Sequence, residues 1–184
     1  MTTQPDPPAA AGPSAQPDPP LAPDELVSTG GERAVLEAFL ELYREVVTRK
    51  LAGVSAQQAH DRRLPSLTTL AGLVKHLAAV EREWFAHILA QRSYDEIGGI
   101  PLDDGWTVNA QETVDGLIAE YELACAGSRQ IASGFALDDS VPHPRLGRVS
   151  LRWIYVHMIE ETARHAGHAD IVREQTDGAT GFDG

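Results

Sequence analysis

Met158-Ile-Glu-Glu-Thr-Ala-Arg-His-Ala-Gly-His168 lies within a longer stretch in which the apolar residues Ile154, Met158, Ala169 and Val172 recur at helical spacing. A helix advances about 100° per residue, so Glu161 and His165 differ by only about 40° around its axis, with Cβ atoms about 6 Å apart. Both fall on the apolar stripe. An inward carboxylate without a partner is costly, so such a Glu is protonated, paired with a cationic side chain, or bound to a metal ion. The pair therefore reads either as a hydrogen bond or core salt bridge, or as two ligands of one cation.

Working back along the chain, three more amphipathic helices precede this one. Leu36, Phe39, Leu40, Tyr43, Val47 and Leu51 form the face of a first helix over about 32–52, with Gly53 placed to end it. Residues 55–63 form a short helical connector that stops before Pro65. Ser66 or Thr68 then caps a second long helix with the stripe Leu70, Leu73, Val74, Leu77, Val80, Trp84, Phe85 and Ile88. A third starts near 110–113 and runs through Val114, Leu117, Ile118 and Tyr121 to about Ser133, and the fourth begins near 149–152. No run in this part shows sustained two-residue alternation or hairpin turn signals. Four amphipathic helices without strands predict an all-α four-helix bundle.

The first stretch, Met1 to about Pro23, carries eight of the twelve prolines and repeats Gln-Pro-Asp-Pro-Pro at Gln4–Pro8 and Gln16–Pro20. That composition predicts a disordered Pro-rich tail over 1–30 and a single folded domain over 31–184. The 184 residues carry a formal net charge of -12, a field that repels phosphate backbones and anionic headgroups and argues against nucleic-acid or membrane-surface partners. No segment approaches the roughly 20 consecutive apolar residues of a membrane span, and the N-terminus has no basic and apolar leader, so a cytoplasmic location is expected. The single cysteine, Cys125, excludes an internal disulfide and a Cys-rich zinc cluster, and its helical neighbours predict a small core residue.

A bundle metal site draws on facing helices, so a third ligand is expected from elsewhere in the chain. His76, one position off the stripe of the second helix, leads, and His87 on the same flank competes with it. His60 and His143 fall in connectors. His168 is expected beside the ligands or against substrate, and His157 in a core or interhelix hydrogen bond. The loop over about 93–108, with Asp103, Asp104 and Trp106, reads as a lid or site rim, or simply as a long crossover.

Leu67-Thr-Thr-Leu-Ala-Gly-Leu-Val-Lys-His-Leu-Ala-Ala-Val-Glu-Arg-Glu-Trp-Phe85, with His157-Met-Ile-Glu-Glu-Thr-Ala-Arg-His-Ala-Gly-His-Ala-Asp170 and residues 173–181, resembles the DinB-like superfamily. Within it, the chain is most similar to the actinobacterial branch of mycothiol-dependent transferases and maleylpyruvate isomerase. The likeness covers about 32–181. It implies a four-helix bundle holding a divalent metal by one His of the second helix and two ligands of the fourth. Many members place His-x-x-x-His in the fourth helix; this chain has Glu161 at the first position, as the maleylpyruvate isomerase branch has a carboxylate there. Carried over by position, the resemblance implies His76, Glu161 and His165 as metal ligands.

Two imidazoles and a carboxylate suit Zn²⁺ with one position left open, and the same set could hold Ni²⁺ or Fe²⁺. A bound cation lowers the pKa of a thiol or water. The leading expectation is an enzyme that activates a low-molecular-weight thiol, mycothiol by resemblance, for S-transfer to a small electrophile or for isomerisation. Arg82, Arg152 or the Trp106 loop would contact the thiol's polar groups. A metal-dependent hydrolase using Glu160 or His168 for proton transfer is the alternative, as is a non-catalytic metal-binding or stress-response protein. A homodimer is compatible with any of these.

Overall fold

The computed structural model describes residues 21–98, 106–109 and 111–181. Residues 1–20 of the Pro-rich stretch, and Asp103 and Asp104, lie outside the described residues. In chain order the elements are α1 (Pro23–Leu26), α2 (Glu32–Leu51), α3 (Ala56–His60), α4 (Leu70–Glu81), a π-helical stretch (Arg82–Leu89), α5 (Tyr94–Ile97), α6 (Val114–Ala132), β1 (Ser140–His143), β2 (Gly147–Ser150) and α7 (Leu151–Asp177). The four long helices, α2, α4 with its π continuation, α6 and α7, make an all-α bundle.

The start signals are side-chain caps. Thr69, Thr113 and Ser150 accept the amides of Gly72, Gly116 and Trp153, each satisfying one of the free N–H groups that open a helix. Thr69 thus displaces Ser66 and Thr68 as the cap of α4. Gly53 (φ 75°) follows α2 and Gly178 (φ 80°) follows α7 in the left-handed conformation that glycine adopts without strain.

Three local features depart from the sequence reading. The second long helix does not stay α-helical: from Arg82 its hydrogen bonds widen to the π pattern. A two-stranded antiparallel hairpin pairs Ser140–His143 with Gly147–Ser150, and Val141 and Val149 bury its inner face. The long loop after the π stretch also contains the one-turn helix α5, capped by Ser93.

Ion pairs along the helices give their directions. Arg152 meets Glu32 and Lys50 meets Asp170, so α2 and α7 run parallel. Lys75 pairs with Glu112, just before α6, and Arg82 with Glu120, so α4 and α6 also run parallel. Arg129 of α6 meets Glu41 of α2, and Arg33 of α2 donates to the Ala132 carbonyl, which makes the two helix pairs antiparallel. The chain between parallel α4 and α6 must return along the bundle, about 28 Å for a 19-residue helix. That requirement explains the long segment between them.

The core has two buried clusters. One gathers Val47, Leu51, Leu70, Leu73, Leu77, Leu117, Tyr121 and Val172, and the other Leu40, Phe85, Leu89, Leu151, Ile154 and Met158. Between Leu40 and Val47 on α2 stands Arg44, which donates through Nε and Nη2 to both carboxylate oxygens of Glu81 at 2.8 and 2.6 Å. Both residues are buried. Cys125 is buried as well, and burial pushes its thiol far above the usual thiol range, which fits a core residue and not a nucleophile. No described helix is long and apolar enough to cross a membrane.

Candidate metal centre

The antiparallel packing of α4 on α7 brings His76 opposite Glu161 and His165. His76 Nε2 lies 3.2 Å and His165 Nε2 3.0 Å from the same Glu161 oxygen, Oε1. Both histidines are buried, and the Glu161 side chain keeps 15% of its exposure, so the cluster opens to solvent on the carboxylate side. Hydrogen bonds from His165 and His76 hold the Glu161 carboxyl well below the usual carboxylate range.

These residues fit a divalent cation. One nitrogen from each histidine and one carboxylate oxygen lie within 4.8 Å of one another, the one such group of three among the described residues. The 3.2 and 3.0 Å from the two Nε2 atoms to Glu161 Oε1 are close to the roughly 3.3–3.6 Å between donors that bonds of about 2.0–2.2 Å give around tetrahedral Zn²⁺. His76 and His165 would hold such a cation through one ring nitrogen each, which would leave the imidazole proton on the other. For His165 the acceptor is at hand, since His168 Nδ1 stands 3.3 Å from His165 Nδ1. A ligating histidine ordinarily donates its second ring N–H in this way, which fixes tautomer and ring angle. His76 Nδ1 is buried and has no hydrogen-bond partner.

A roof covers the cluster. Trp106 stacks on His76 with ring centroids 4.3 Å apart and planes 17° apart, and meets His165 edge-on at 5.4 Å. Gly72, one turn before His76, permits the approach: a Cβ there would lie 3.1 Å from the Trp106 carbonyl oxygen. Lys75 Nζ donates to the Thr107 carbonyl at 2.8 Å and pairs with Glu112, tying the same segment to α4. The loop therefore rims this cluster through Trp106.

The remaining histidines have other tasks. His87 Nδ1 donates to the Arg92 carbonyl at 2.6 Å and its ring stacks on Tyr94, which removes it from the competition with His76. His60 donates to the Glu112 carbonyl, and His143 Nδ1 accepts the Arg145 and Leu146 amides in the hairpin turn. Among the described residues His157 makes no interhelix hydrogen bond; it packs against Trp84 at 4.5 Å, stacks on Trp153 at 5.2 Å and lies 3.9 Å from Glu160, half-buried, and burial lowers its pKa. Arg152 is taken by Glu32 and Asp138, and Arg82 by Glu120. Glu160 is an exposed partner of Arg164, whose Nη1 also reaches within 3.7 Å of Glu161 Oε2. Spacing alone points to none of Gly72, Lys75 and the Trp84 group; the close-approach role of a helical glycine is the one signal that was there to read.

No curated protein matches the chain. Residues 35–178 match the mycothiol-S-transferase family, MST. The match spans most of the 184 residues, runs from α2 to the glycine that ends α7, and contains His76, Glu161 and His165. The chain belongs to the mycothiol-S-transferase family.

Proposed function

We propose that the protein is a divalent-metal-dependent transferase that activates a low-molecular-weight thiol, mycothiol or a close analogue, for attack on a small electrophile. The observation that carries this reading is the convergence of His76, Glu161 and His165 on one point, in a chain of this family. A bound divalent cation supplies the positive charge that keeps a thiol deprotonated near neutral pH. His76, Glu161 and His165 would hold it, and Zn²⁺ suits this donor set best, with Ni²⁺ and Fe²⁺ as competitors.

The protein's own groups then define what the sulfur meets. His168 holds the His165 ring through the Nδ1 contact. Trp106 and the buried faces of His76 and His165 exclude water from one side, which strengthens electrostatic interactions there. The exposed edge of Glu161 marks the side from which thiol and electrophile enter. A divalent cation held here would set two positive charges against the single negative charge of Glu161, leaving the site net positive toward an entering thiolate.

The test is turnover. Metal-loaded protein should consume mycothiol and an electrophile together. Chelation should abolish the activity, re-addition of Zn²⁺ should restore it, and His76→Ala should lack it. Turnover that survives chelation, or that water supports in place of the thiol, would overturn the assignment.

A further inference from the structure

The two oxygens of the Glu161 carboxylate meet different partners. Oε1 lies 3.2 Å from His76 Nε2 and 3.0 Å from His165 Nε2, whereas Oε2 is paired with Arg164, whose Nη1 stands 3.7 Å away. Spacing along α7 puts Arg164 there: it follows Glu160 by four residues and Glu161 by three, the two intervals that set side chains next to one another on a helix surface. Its Nη2 pairs with Glu160, a half-exposed residue that tethers the guanidinium at the solvent edge of the cluster. Lys75 and Arg82, the cations on the facing helix, are paired with Glu112 and Glu120 instead. Among the described residues Arg164 is thus the one Lys or Arg side chain paired to the cluster.

That division of the carboxylate bears on how many donors the cluster offers. A glutamate holds a divalent cation through one oxygen or through both. Two oxygens on one carbon, each about 1.2 Å from it, are less than about 2.5 Å apart, so Oε2 stays within reach of a cation that Oε1 holds unless something attracts it elsewhere. A second bond from Oε2 would fill the position that His76, His165 and Oε1 leave open.

We propose that Arg164 is a positioning residue: its guanidinium draws Glu161 Oε2 outward, limits the carboxylate to one donor oxygen, and keeps one coordination position free for the entering thiol. This rests on the metal-dependent thiol-transfer reading above. Arg164 touches neither thiol nor electrophile and acts through Glu161. Its charge works in two ways, attracting Oε2 and opposing a cation at the cluster, since Nη1 is at most about 6 Å from Oε1. The Arg164 side chain is 54% exposed, so water and salt screen both effects and each amounts to about two- to fivefold.

Cobalt binding to the full chain tests this without turnover. Arg164→Ala should still take up one equivalent of cobalt, release it to a chelator about two- to fivefold more slowly than wild type, and bind mycothiol more weakly by a similar factor. Its visible cobalt absorption should weaken, the change that accompanies a rise from four donors to five. Arg164→Lys, which keeps the charge without the planar fork, should return part of the wild-type absorption. Helical circular dichroism checks that each variant is folded. Absorption and release identical to wild type in Arg164→Ala would overturn the proposal and leave the ligand set and the thiol-transfer reading standing. Faster release would overturn it too, because it would make Arg164 a brace for the ligands. Slower release with weakened absorption, in a protein that turns over no thiol with any electrophile, would support the role of Arg164 and defeat the transferase reading instead.

Discussion

His165 and His76 contribute one nitrogen each to the same point, so replacing either leaves two donors, too few for a tightly held cation. Elemental mass spectrometry on untagged protein should find about one equivalent of metal per chain, falling to near none in His165→Ala at unchanged helical content; full occupancy in that variant would remove the ligand assignment. His168 acts through His165, so His168→Ala should retain a site whose affinity, measured against a chelator, is weaker by about 10- to 100-fold. At this scale the sequence was informative where one helix carries the relation. Glu161 and His165 share a face by spacing alone, and His168 follows beside them. It was uninformative where the relation crosses helices: His76 and His87 sit on the same flank, and only the hydrogen bond to Arg92 and the stack on Tyr94 separate them.

Helices were legible as elements because a periodic stripe and a capping side chain agree. The exact cap of α4 was not, since Ser66, Thr68 and Thr69 all offer hydroxyls and only the position of the Gly72 amide decides among them. The hairpin was hidden by its length of four residues per strand and by Pro142 within β1, which demotes a strand pattern. The π stretch spans only the eight residues Arg82–Leu89, too few for its wider turn to show in the apolar spacing. Two predictions belong to these elements. Arg44 and Glu81 join α2 to α4 as a buried bidentate pair, so Glu81→Ala, which leaves the buried guanidinium with Glu41 alone as its ionic partner, should cost about 3 kcal/mol in urea unfolding. A stability loss below 1 kcal/mol would show that the pair is solvated. Gly72→Ala sets a methyl against the Thr69 hydroxyl and the Trp106 carbonyl and should speed metal removal by chelator several-fold, as should Trp106→Ala, with the bundle intact.

For the whole molecule, the parallel pairs α2–α7 and α4–α6 call for a long return segment, and that segment carries Trp106 over the His76, Glu161 and His165 cluster. The Pro-rich composition of residues 1–20 predicts no packed structure there. A chain beginning at residue 21 should therefore keep the same melting temperature and metal content; a marked drop in either would assign the segment a structural role. Fold, ligand cluster and family converge on one claim, that a cation held by His76, Glu161 and His165 would bind a thiol sulfur. The most direct measurement is the near-ultraviolet absorption of cobalt-loaded protein titrated with mycothiol. A sulfur-to-cobalt charge-transfer band should grow to saturation at one thiol per chain and be absent in His165→Ala. Cobalt retained at one equivalent with no such band would contradict the claim.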